Sequence, residues 1–182
     1  MPKVLIPLAG GCEEMEAVTL IDVLRRAGAE VVTAGLSDGP VKASRDVVLL
    51  PDTTLDKALA TGGFDAVVLP GGLGGTNALA ADGRIITLLQ DTAAAGKTVA
   101  AICAAPIVLA KAGLLRGRNF TVYPGALDGP AAGGTLTGAA VEADGNVLTS
   151  RGPGTALDFA LHLAEHLCGK AVRDRVEKDL VR

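Results

Sequence analysis

The stretch Thr98-Val-Ala-Ala-Ile-Cys-Ala-Ala-Pro106 joins an apolar run directly to the start of a helix. The run Thr98–Ile102 lacks the polar alternation of a half-exposed strand, so it predicts a parallel strand that is covered on both faces. Pro106 suits the first turn of a helix because its missing N–H has no partner there in any case. The segment therefore predicts a buried strand that turns sharply into a helix at Cys103.

The same alternation of strand and helix extends outward over the rest of the chain, with no repeat or linker. Strands are predicted at residues 4–8, 30–36, 65–69 and 147–150, with weaker strands at 120–122 and 138–142 and a short hairpin over 41–50 around Arg45. Helices are predicted at residues 14–27, 52–61, 82–95, 105–111, 154–167 and 172–180. This order indicates an α/β fold over residues 1–182 as a single domain: a doubly wound, mostly parallel sheet with helices on both faces. Ligands are expected at the carboxyl ends of the strands.

The composition excludes several classes of protein. Nearly half of the chain, 49%, is hydrophobic, which excludes intrinsic disorder. Aromatic residues make up only 2% and the net charge is -3, which argues against a nucleic-acid partner. Three cysteines in 182 residues do not form a disulfide scaffold. The first apolar run is too short for a signal peptide or a membrane span, so we expect a cytoplasmic protein without a membrane partner.

Cys103 has the local sequence of a nucleophile elbow, a tight turn that holds a reactive atom above the edge of a sheet. Such a turn requires small residues two positions before and two after the nucleophile, and Ala101 and Ala105 occupy them. The start of a helix should lower the pKa of the thiol. The local pattern fits an inert, buried cysteine at the end of a strand equally well.

Two further features fall at the same predicted edge of the sheet. Glu16 lies one turn into the first helix, and burial beside a thiolate would keep its carboxyl group protonated and able to move a proton. The alternative is an exposed acid at a helix start, which fits Glu13 and Glu14 well. The turn at Gly71 and Gly72 leaves backbone N–H groups free to form an oxyanion hole.

Other motifs carry weaker signals. His162-Leu-Ala-Glu165-His166 matches a zinc-protease pattern, but its polar residues share one helix face, which predicts a solvated surface. Residues 71–75 lack the glycine spacing and the following helix of a dinucleotide site. Arg151-Gly-Pro-Gly154 before a helix is a candidate anion site, or simply a well-made turn. Cys12 is close enough in the predicted fold to pair with Cys103, although the adjacent acids oppose this, and Cys168 is expected to be structural.

Six blocks of sequence together resemble the ThiJ/PfpI superfamily, and within it the branch of the parkinsonism-associated protein deglycase. They are Gly11-x-Glu-Glu-Met-Glu16, Arg25-Arg26-Ala-Gly28, Ser44-Arg45-Asp46, Leu69-Pro-Gly-Gly72, Ala100-Ala-Ile-Cys103 and Ser150-Arg-Gly-Pro-Gly-Thr155, in the family's order. The resemblance implies a flavodoxin-like fold, a homodimer, no cofactor and no metal. It also implies a nucleophilic cysteine that can be oxidised to a sulfinate.

By this resemblance, Cys103 is the nucleophile and Glu16 is the protonated carboxyl group beside it. Gly72 and Ala104 would supply the backbone N–H groups at the pocket. In the superfamily's hydrolase branch a histidine directly follows the nucleophile, and Ala104 at that position argues against a peptidase.

The resemblance also places Arg45 and Arg151 near the pocket as substrate- or anion-binding residues, with Arg45 contributed by its own or by the other subunit. Some members carry a histidine where Tyr123 stands. A Cys–His pair is therefore not expected, and Glu16 is left as the one evident proton carrier. Tyr123 either binds substrate or forms a wall of the pocket, and the second role is favoured.

Two functions follow from these residues, with a third less favoured. The first is cysteine-dependent, cofactor-free conversion of small dicarbonyls, methylglyoxal to lactate, or removal of the corresponding adducts from glycated protein. The second is a non-enzymatic redox-sensing chaperone in which Cys103 is oxidised by peroxide. A cysteine hydrolase or peptidase is the third. All three place Cys103 at the centre, and the first two concern protection from carbonyl and oxidative stress.

Overall fold

A computed structural model describes all residues, Met1–Arg182, as eleven strands and eight helices. The strands are β1 (Lys3–Leu8), β2 (Glu30–Gly35), β3 (Val41–Lys42), β4 (Val48–Leu49), β5 (Thr53–Thr54), β6 (Ala66–Leu69), β7 (Thr98–Ile102), β8 (Asn119–Phe120), β9 (Thr135–Leu136), β10 (Val141–Asp144) and β11 (Val147–Ser150). The helices are α1 (Glu14–Arg26), α2 (Leu55–Thr61), α3 (Leu73–Ala81), α4 (Gly83–Ala94), α5 (Pro106–Lys111), α6 (Gly129–Ala132), α7 (Ala156–Cys168) and α8 (Lys170–Asp179). A single 3₁₀ turn, Pro153–Thr155, precedes α7.

Seven strands form the main sheet in the order β10-β11-β7-β6-β1-β2-β5. All neighbours are parallel except β10, which pairs antiparallel with β11 at one edge. The chain winds from β1 to β2 and β5 on one side, and then returns to β6 and β7 on the other. The direction of winding therefore reverses between β1 and β6, and a crevice opens there at the carboxyl ends of the strands.

Each face of the sheet is covered by its own apolar core, because alternate residues of a strand point to opposite faces. Val4 and Ile6 of β1 pack with α1 and α7 on one face, while Leu5 packs with α2, α3, α4 and α5 on the other. The buried aromatic side chains are divided in the same way, with Phe159 in the first core and Phe120 in the second. The predicted flavodoxin-like, doubly wound α/β fold is confirmed.

The predicted hairpin around Arg45 is also present, but shorter. β3 and β4 pair antiparallel, and Arg45 lies in the turn that joins them. The predicted helix at 52–61 begins only at Leu55, because the two residues before it extend the sheet beside β2 as β5. The strand predicted at 120–122 is displaced toward the N-terminus as β8. The strand predicted at 138–142 begins only at Val141, as β10.

The prediction that no helix follows the glycines at 71–75 was wrong, because α3 begins at Leu73. Glycine disfavours helices, so the local sequence hides this one. Close packing requires the glycines instead: a Cβ on Gly75 would lie 2.8 Å from the Cα of Cys12. None of the eight helices combines the length and the apolar character needed to cross a membrane.

Candidate active site

Cys103 occupies the sharp turn between β7 and α5 that its sequence predicts. Its φ is +63°, a left-handed conformation that is unusual for a residue other than glycine. The backbone is fixed on both sides, since Cys103 N–H donates to the carbonyl of Ser150 at 2.9 Å and Tyr123 N–H donates to the carbonyl of Cys103 at 2.8 Å. The residue is 8% exposed, so a small reagent can reach it only from the crevice.

Glu16 lies directly beside this cysteine on the first turn of α1. Its side chain is fully buried, and its Oε2 accepts a hydrogen bond from Gly71 N–H at 2.8 Å. The carboxyl group also interacts with the thiol of Cys103. Its other oxygen, Oε1, has no hydrogen-bond partner. A buried carboxylate oxygen without a donor is costly, whereas a protonated oxygen there could itself donate.

Gly71 and Gly72, in the turn after β6, lie where the site leaves no room for a side chain. A Cβ on Gly71 would lie 2.6 Å from the Cβ of Cys103 and 2.7 Å from Glu16 Oε2. Gly72 has a φ of +83°, and a Cβ there would lie 2.4 Å from the carbonyl oxygen of Gly11. The backbone N–H groups of Gly72 and Ala104 act on the Cys103 sulfur, where they lower the pKa of the thiol. The structure thus brings together the four residues that the resemblance groups around the nucleophile.

Burial in this small volume dominates the electrostatics of the two acids. Burial raises the pKa of Glu16 to about 7, against the opposing effects of the Gly71 N–H and the Cys103 thiol. Burial also raises the pKa of Cys103, a negative charge on Glu16 raises it further, and the N–H groups of Gly72 and Ala104 lower it. The predicted lowering of the thiol pKa is therefore wrong. The pair resists a second negative charge, so near neutral pH it holds one at most.

An open cleft of about 800 Å³ leads from the surface to the sulfur. Arg45 from the β3–β4 turn and the half-exposed ring of Tyr123 line it, together with Gly72 and Ala104. Arg45 reaches the cleft of its own chain. Glu13 and Ser44, which the sequence did not single out as site residues, also line the cleft. The signal for Ser44 was its place beside Arg45 in a hairpin turn at the same edge of the sheet.

Arg151 lies outside this cleft, in an adjoining hollow that shares Tyr123, Pro124 and Pro153 with it. Its Nη1 donates to the carbonyl of Gly138 at 3.0 Å. The ring of Tyr123 lies against Gly152 and forms the wall between the two spaces. An extended ligand could therefore reach both arginines, whereas a small one at Cys103 would meet Arg45 alone.

The other predicted candidates do not join the site. All three cysteines are free thiols, and Cys12 is fully buried against α3, where burial raises its pKa to about 11. Both histidines of the zinc-protease pattern are exposed on α7, as predicted, and His166 Nε2 is 3.0 Å from the hydroxyl of Thr98. Glu14 was interpreted as an exposed acid, which is wrong: it is only 7% exposed.

The raised pKa of Glu16 predicts a pH-dependent stability. Because its folded-state pKa of about 7 exceeds its ordinary value of 4.5, the stabilising contribution is complete below pH 4.5 and is lost as the pH rises to about 7. We compare Cys103→Ser with Cys103→Ser/Glu16→Gln, so that the thiol does not titrate. Across this range the first variant should lose up to about 3 kcal/mol of unfolding free energy relative to the second.

Urea unfolding measured along this pH series gives the difference. Glu30→Gln in the same background is the matched control, because Glu30 is a half-exposed acid paired with Lys3 at 3.7 Å. Its unfolding free energy should follow that of Cys103→Ser within a few tenths of a kcal/mol. An unchanged difference between the two Glu16 forms at all pH values would contradict the burial of an ionisable carboxyl group here.

The chain is similar to known proteins over nearly its whole length. The sequence matches the model of the DJ-1/PfpI family over residues 2–166. It is 49% identical over 179 residues to Protein dj-1beta of Drosophila melanogaster, covering 97% of this chain and 95% of that protein. The crystal structure of Drosophila DJ-1beta has a TM-score of 0.92 and 48% identity, covering 99% of this chain and 97% of the other.

Two further relatives are similar over most of their length. Glutathione-independent glyoxalase DJR-1.2 of Caenorhabditis elegans is 36% identical over 171 residues, covering 92% of this chain and 89% of that protein. The solved structure of oxidized Toxoplasma gondii DJ-1 has a TM-score of 0.92 and 35% identity, covering 100% of this chain and 98% of the other. With a family match over most of its length and relatives of this similarity, the chain belongs to the DJ-1/PfpI family.

Proposed function

We propose that the protein is a cysteine-dependent, cofactor-free enzyme of the glyoxalase or deglycase type that converts methylglyoxal to lactate. One observation carries this proposal: a buried carboxyl group lies beside a cysteine at the floor of an open cleft, and two backbone N–H groups converge on the sulfur. The similarity to a protein named as a glutathione-independent glyoxalase supports the same reaction class.

The reactive state places the one negative charge of the pair on sulfur and the proton on Glu16. Two N–H groups, of Gly72 and Ala104, act on the sulfur, whereas only Gly71 N–H donates to the carboxyl group. The partnerless Oε1 is then the protonated oxygen, available to donate. This arrangement holds a thiolate, the nucleophilic form of cysteine, without ionising a second buried acid.

The thiolate attacks the aldehyde carbon of methylglyoxal, forming a C–S bond and an oxyanion. The N–H groups of Gly72 and Ala104 stabilise the oxyanion until Glu16 transfers its proton to it, which gives a hemithioacetal. Glu16, now a carboxylate, removes the hydrogen of the same carbon as a proton, and the hydroxyl proton of that carbon passes to the ketone oxygen within the resulting enediol. Glu16 then returns its proton to the adjacent carbon, and the sulfur-bearing carbon becomes a carbonyl. The product of this transfer is a thioester of lactate on Cys103.

Water then hydrolyses the thioester, releasing lactate and restoring the starting pair. The sum is addition of one water to methylglyoxal: the aldehyde carbon is oxidised and the ketone carbon is reduced within one molecule, so no external electron acceptor is needed. The ring of Tyr123 forms a wall of the cleft, on the side of the hollow that holds Arg151.

The width of the cleft supports adducts on larger molecules as further substrates. A volume of about 800 Å³ exceeds what a three-carbon dicarbonyl occupies, and only its floor is narrow. A methylglyoxal adduct carried on a protein side chain would enter with its reactive carbons toward Cys103. Arg45 at the cleft and Arg151 in the adjoining hollow would bind oxygen atoms of the adduct.

The second function is redox sensing with a chaperone role, in which peroxide converts the Cys103 thiolate to a sulfinate that Glu16 hydrogen-bonds. The position of a protonated carboxyl group beside the sulfur favours it, as does the existence of a similar structure in an oxidized form. The two functions use the same residues and differ in whether the sulfur returns to its starting state.

A homodimer in the cytoplasm completes the proposal. Exposed apolar side chains cluster on α1 and on the β3–β4 hairpin, two elements joined by the hydrogen bond from Ser44 to Glu14. They are Met15, Val18, Val47, Val48 and Leu50, between 47% and 79% exposed. A second copy covering this patch would remove the apolar surface from water and bring two clefts near one interface.

The activity prediction uses purified protein, methylglyoxal and no added thiol or cofactor. The unmodified chain should form lactate, and Cys103→Ser and Glu16→Ala should each lower the rate by at least about a hundredfold, because each removes a group that acts in the transition state. Cys168→Ser is the matched thiol control and should retain the full rate, since Cys168 lies at the end of α7, away from the cleft.

The same samples discriminate the two functions. If the unmodified protein forms no lactate, while peroxide adds two oxygen atoms to Cys103 alone by mass spectrometry, the redox function is supported and the enzyme is rejected. Lactate formation that persists in Cys103→Ser would contradict both.

The dimer prediction concerns the exposed apolar patch. Val48→Asp, at a side chain that is 63% exposed, should leave the fold unchanged and convert the dimer to a monomer by placing a charge in the interface. Sedimentation measures the mass, and Leu136→Asp, at an exposed leucine on β9, is the control that should remain dimeric. A monomer of the unmodified protein at all concentrations would reject the proposed assembly.

A further inference from the structure

We propose that Glu14 is a positioning residue for the proposed reaction: it fixes the Ser44–Arg45 turn so that the Arg45 guanidinium is held at the cleft above Cys103. This inference rests on the proposed function for its catalytic consequence. The contact itself is a feature of the fold, and it can be tested without turnover.

The carboxylate of Glu14 binds the turn at several points. Oε2 accepts a hydrogen bond from the hydroxyl of Ser44 at 2.8 Å, and Oε1 accepts one from the backbone N–H of Arg45 at 2.7 Å. The N–H of Val47 is close enough to lower the pKa of this carboxyl group as well. Glu14 is 7% exposed, so these bonds are largely shielded from water. An acid on α1 therefore supplies the acceptors that a short hairpin turn cannot supply for itself.

The turn requires such support because its own conformation is unfavourable. Asp46 has a φ of +68°, and the strands on either side, β3 and β4, are only two residues long. The ion pair between Lys42 and Asp46, at 2.7 Å, is exposed on both sides and contributes little to holding the turn. The Glu14 contacts, together with Ser44 N–H donating to the carbonyl of Cys12 at 2.8 Å, are what join the turn to the floor of the cleft.

The consequence for the site is electrostatic. Arg45 lines the cleft, and the one bond of its guanidinium within the chain is from Nη1 to the carbonyl of Ser44 at 3.1 Å. The side chain is otherwise exposed, so its direction follows from the backbone of the turn. If the turn loosens, the positive charge is spread over a larger volume and no longer favours anionic groups that approach the sulfur.

This role differs from that of the neighbouring acids. Glu16 contacts the reacting sulfur, and Glu13 accepts the N–H of Glu16 at the start of α1, at 2.8 Å. Glu14 does not itself line the cleft; it hydrogen-bonds to Ser44 and Arg45, which do. It acts through Arg45, so its replacement should change what the cleft attracts and leave the chemistry of the Cys103–Glu16 pair intact.

The test is selective alkylation of Cys103, followed by mass spectrometry of the peptide that contains it. Iodoacetate is anionic and iodoacetamide is neutral, and both form a C–S bond with the thiolate while iodide leaves. The ratio of the iodoacetate rate to the iodoacetamide rate cancels changes in the reactivity of the thiol. It retains the effect of nearby charges, including the positive charge of Arg45. Glu14→Gln should lower this ratio by about fivefold, to the value given by Arg45→Ala.

A double variant separates positioning from general weakening of the fold. In Glu14→Gln/Arg45→Ala the ratio should not fall below that of Arg45→Ala alone, because Glu14 lowers it only through the guanidinium and the loss of its own negative charge favours iodoacetate. Ser44→Ala removes one of the bonds and should give an intermediate ratio, which keeps the proposal testable if Glu14→Gln does not fold. Glu30→Gln, at a surface acid remote from the hairpin, should leave the ratio unchanged.

Two outcomes would overturn the inference: a ratio in both Glu14→Gln and Ser44→Ala equal to that of the unmodified protein, or a further fall in the double variant. Methylglyoxal turnover supplies an independent readout, in which Glu14→Gln should raise KM, because a displaced Arg45 no longer donates hydrogen bonds to the oxygen atoms of this uncharged substrate, and leave kcat nearly unchanged. If the unmodified protein has no turnover but the ratio falls as expected, the positioning role is supported and the proposed function is rejected.

Discussion

The site depends on one constraint: two acids, Cys103 and Glu16, share a buried volume that tolerates a single negative charge. Burial raises the pKa of the carboxyl group to about 7 and opposes a thiolate beside an ionised Glu16. Because of this constraint, Glu16 is protonated whenever Cys103 is a thiolate. Moving one proton therefore changes the reactivity of both groups. Acid–base catalysis and stabilisation of an oxidised sulfur both follow from this pairing.

The fold supplies the constraint through close backbone packing. Cys103 comes from the end of β7, Glu16 from the helix after β1, and Gly71 from the end of β6 between them. A side chain on Gly71 would meet both acids, so the absence of a Cβ allows the sulfur and the carboxyl group to approach. Similar contacts join Gly75 to Cys12. Part of the glycine content of the chain is thus explained by the assembly of this crevice.

Much of the fold was predictable because the apolar runs mark the buried strands and their order along the chain indicates the fold class. Thr98–Ile102 and Val147–Ser150 were predicted with the observed limits, and the elbow at Cys103 followed from the alanines around it. The helix at Leu73–Ala81 was missed because its glycines satisfy tertiary packing and contradict helix propensity. Strands of two residues, such as β5, depend on a neighbour for their hydrogen bonds and have no periodicity to detect.

Several residues of the cleft were predictable, although Glu13 and Ser44 were missed and Arg151 lies in the adjoining hollow, and the electrostatics were less predictable. The local argument for a low thiol pKa considered the start of the helix alone, whereas burial and Glu16 act on the same sulfur from other elements. The sequence pattern also made Glu14 an exposed acid, since nothing local reveals that a hairpin folds over it. Both errors have one cause: the pKa of Cys103 and the burial of Glu14 depend on groups that are distant in sequence.

Direct observation of the protonation states of Glu16 and Cys103 at neutral pH is the most decisive test of this pairing. Infrared spectroscopy reports the C=O stretch of a protonated carboxyl group, and ultraviolet absorbance reports a thiolate. The unmodified protein should show both signals, the first lost in Glu16→Gln and the second lost in Cys103→Ser. An ionised Glu16 beside a neutral thiol, or both groups ionised together, would contradict the account.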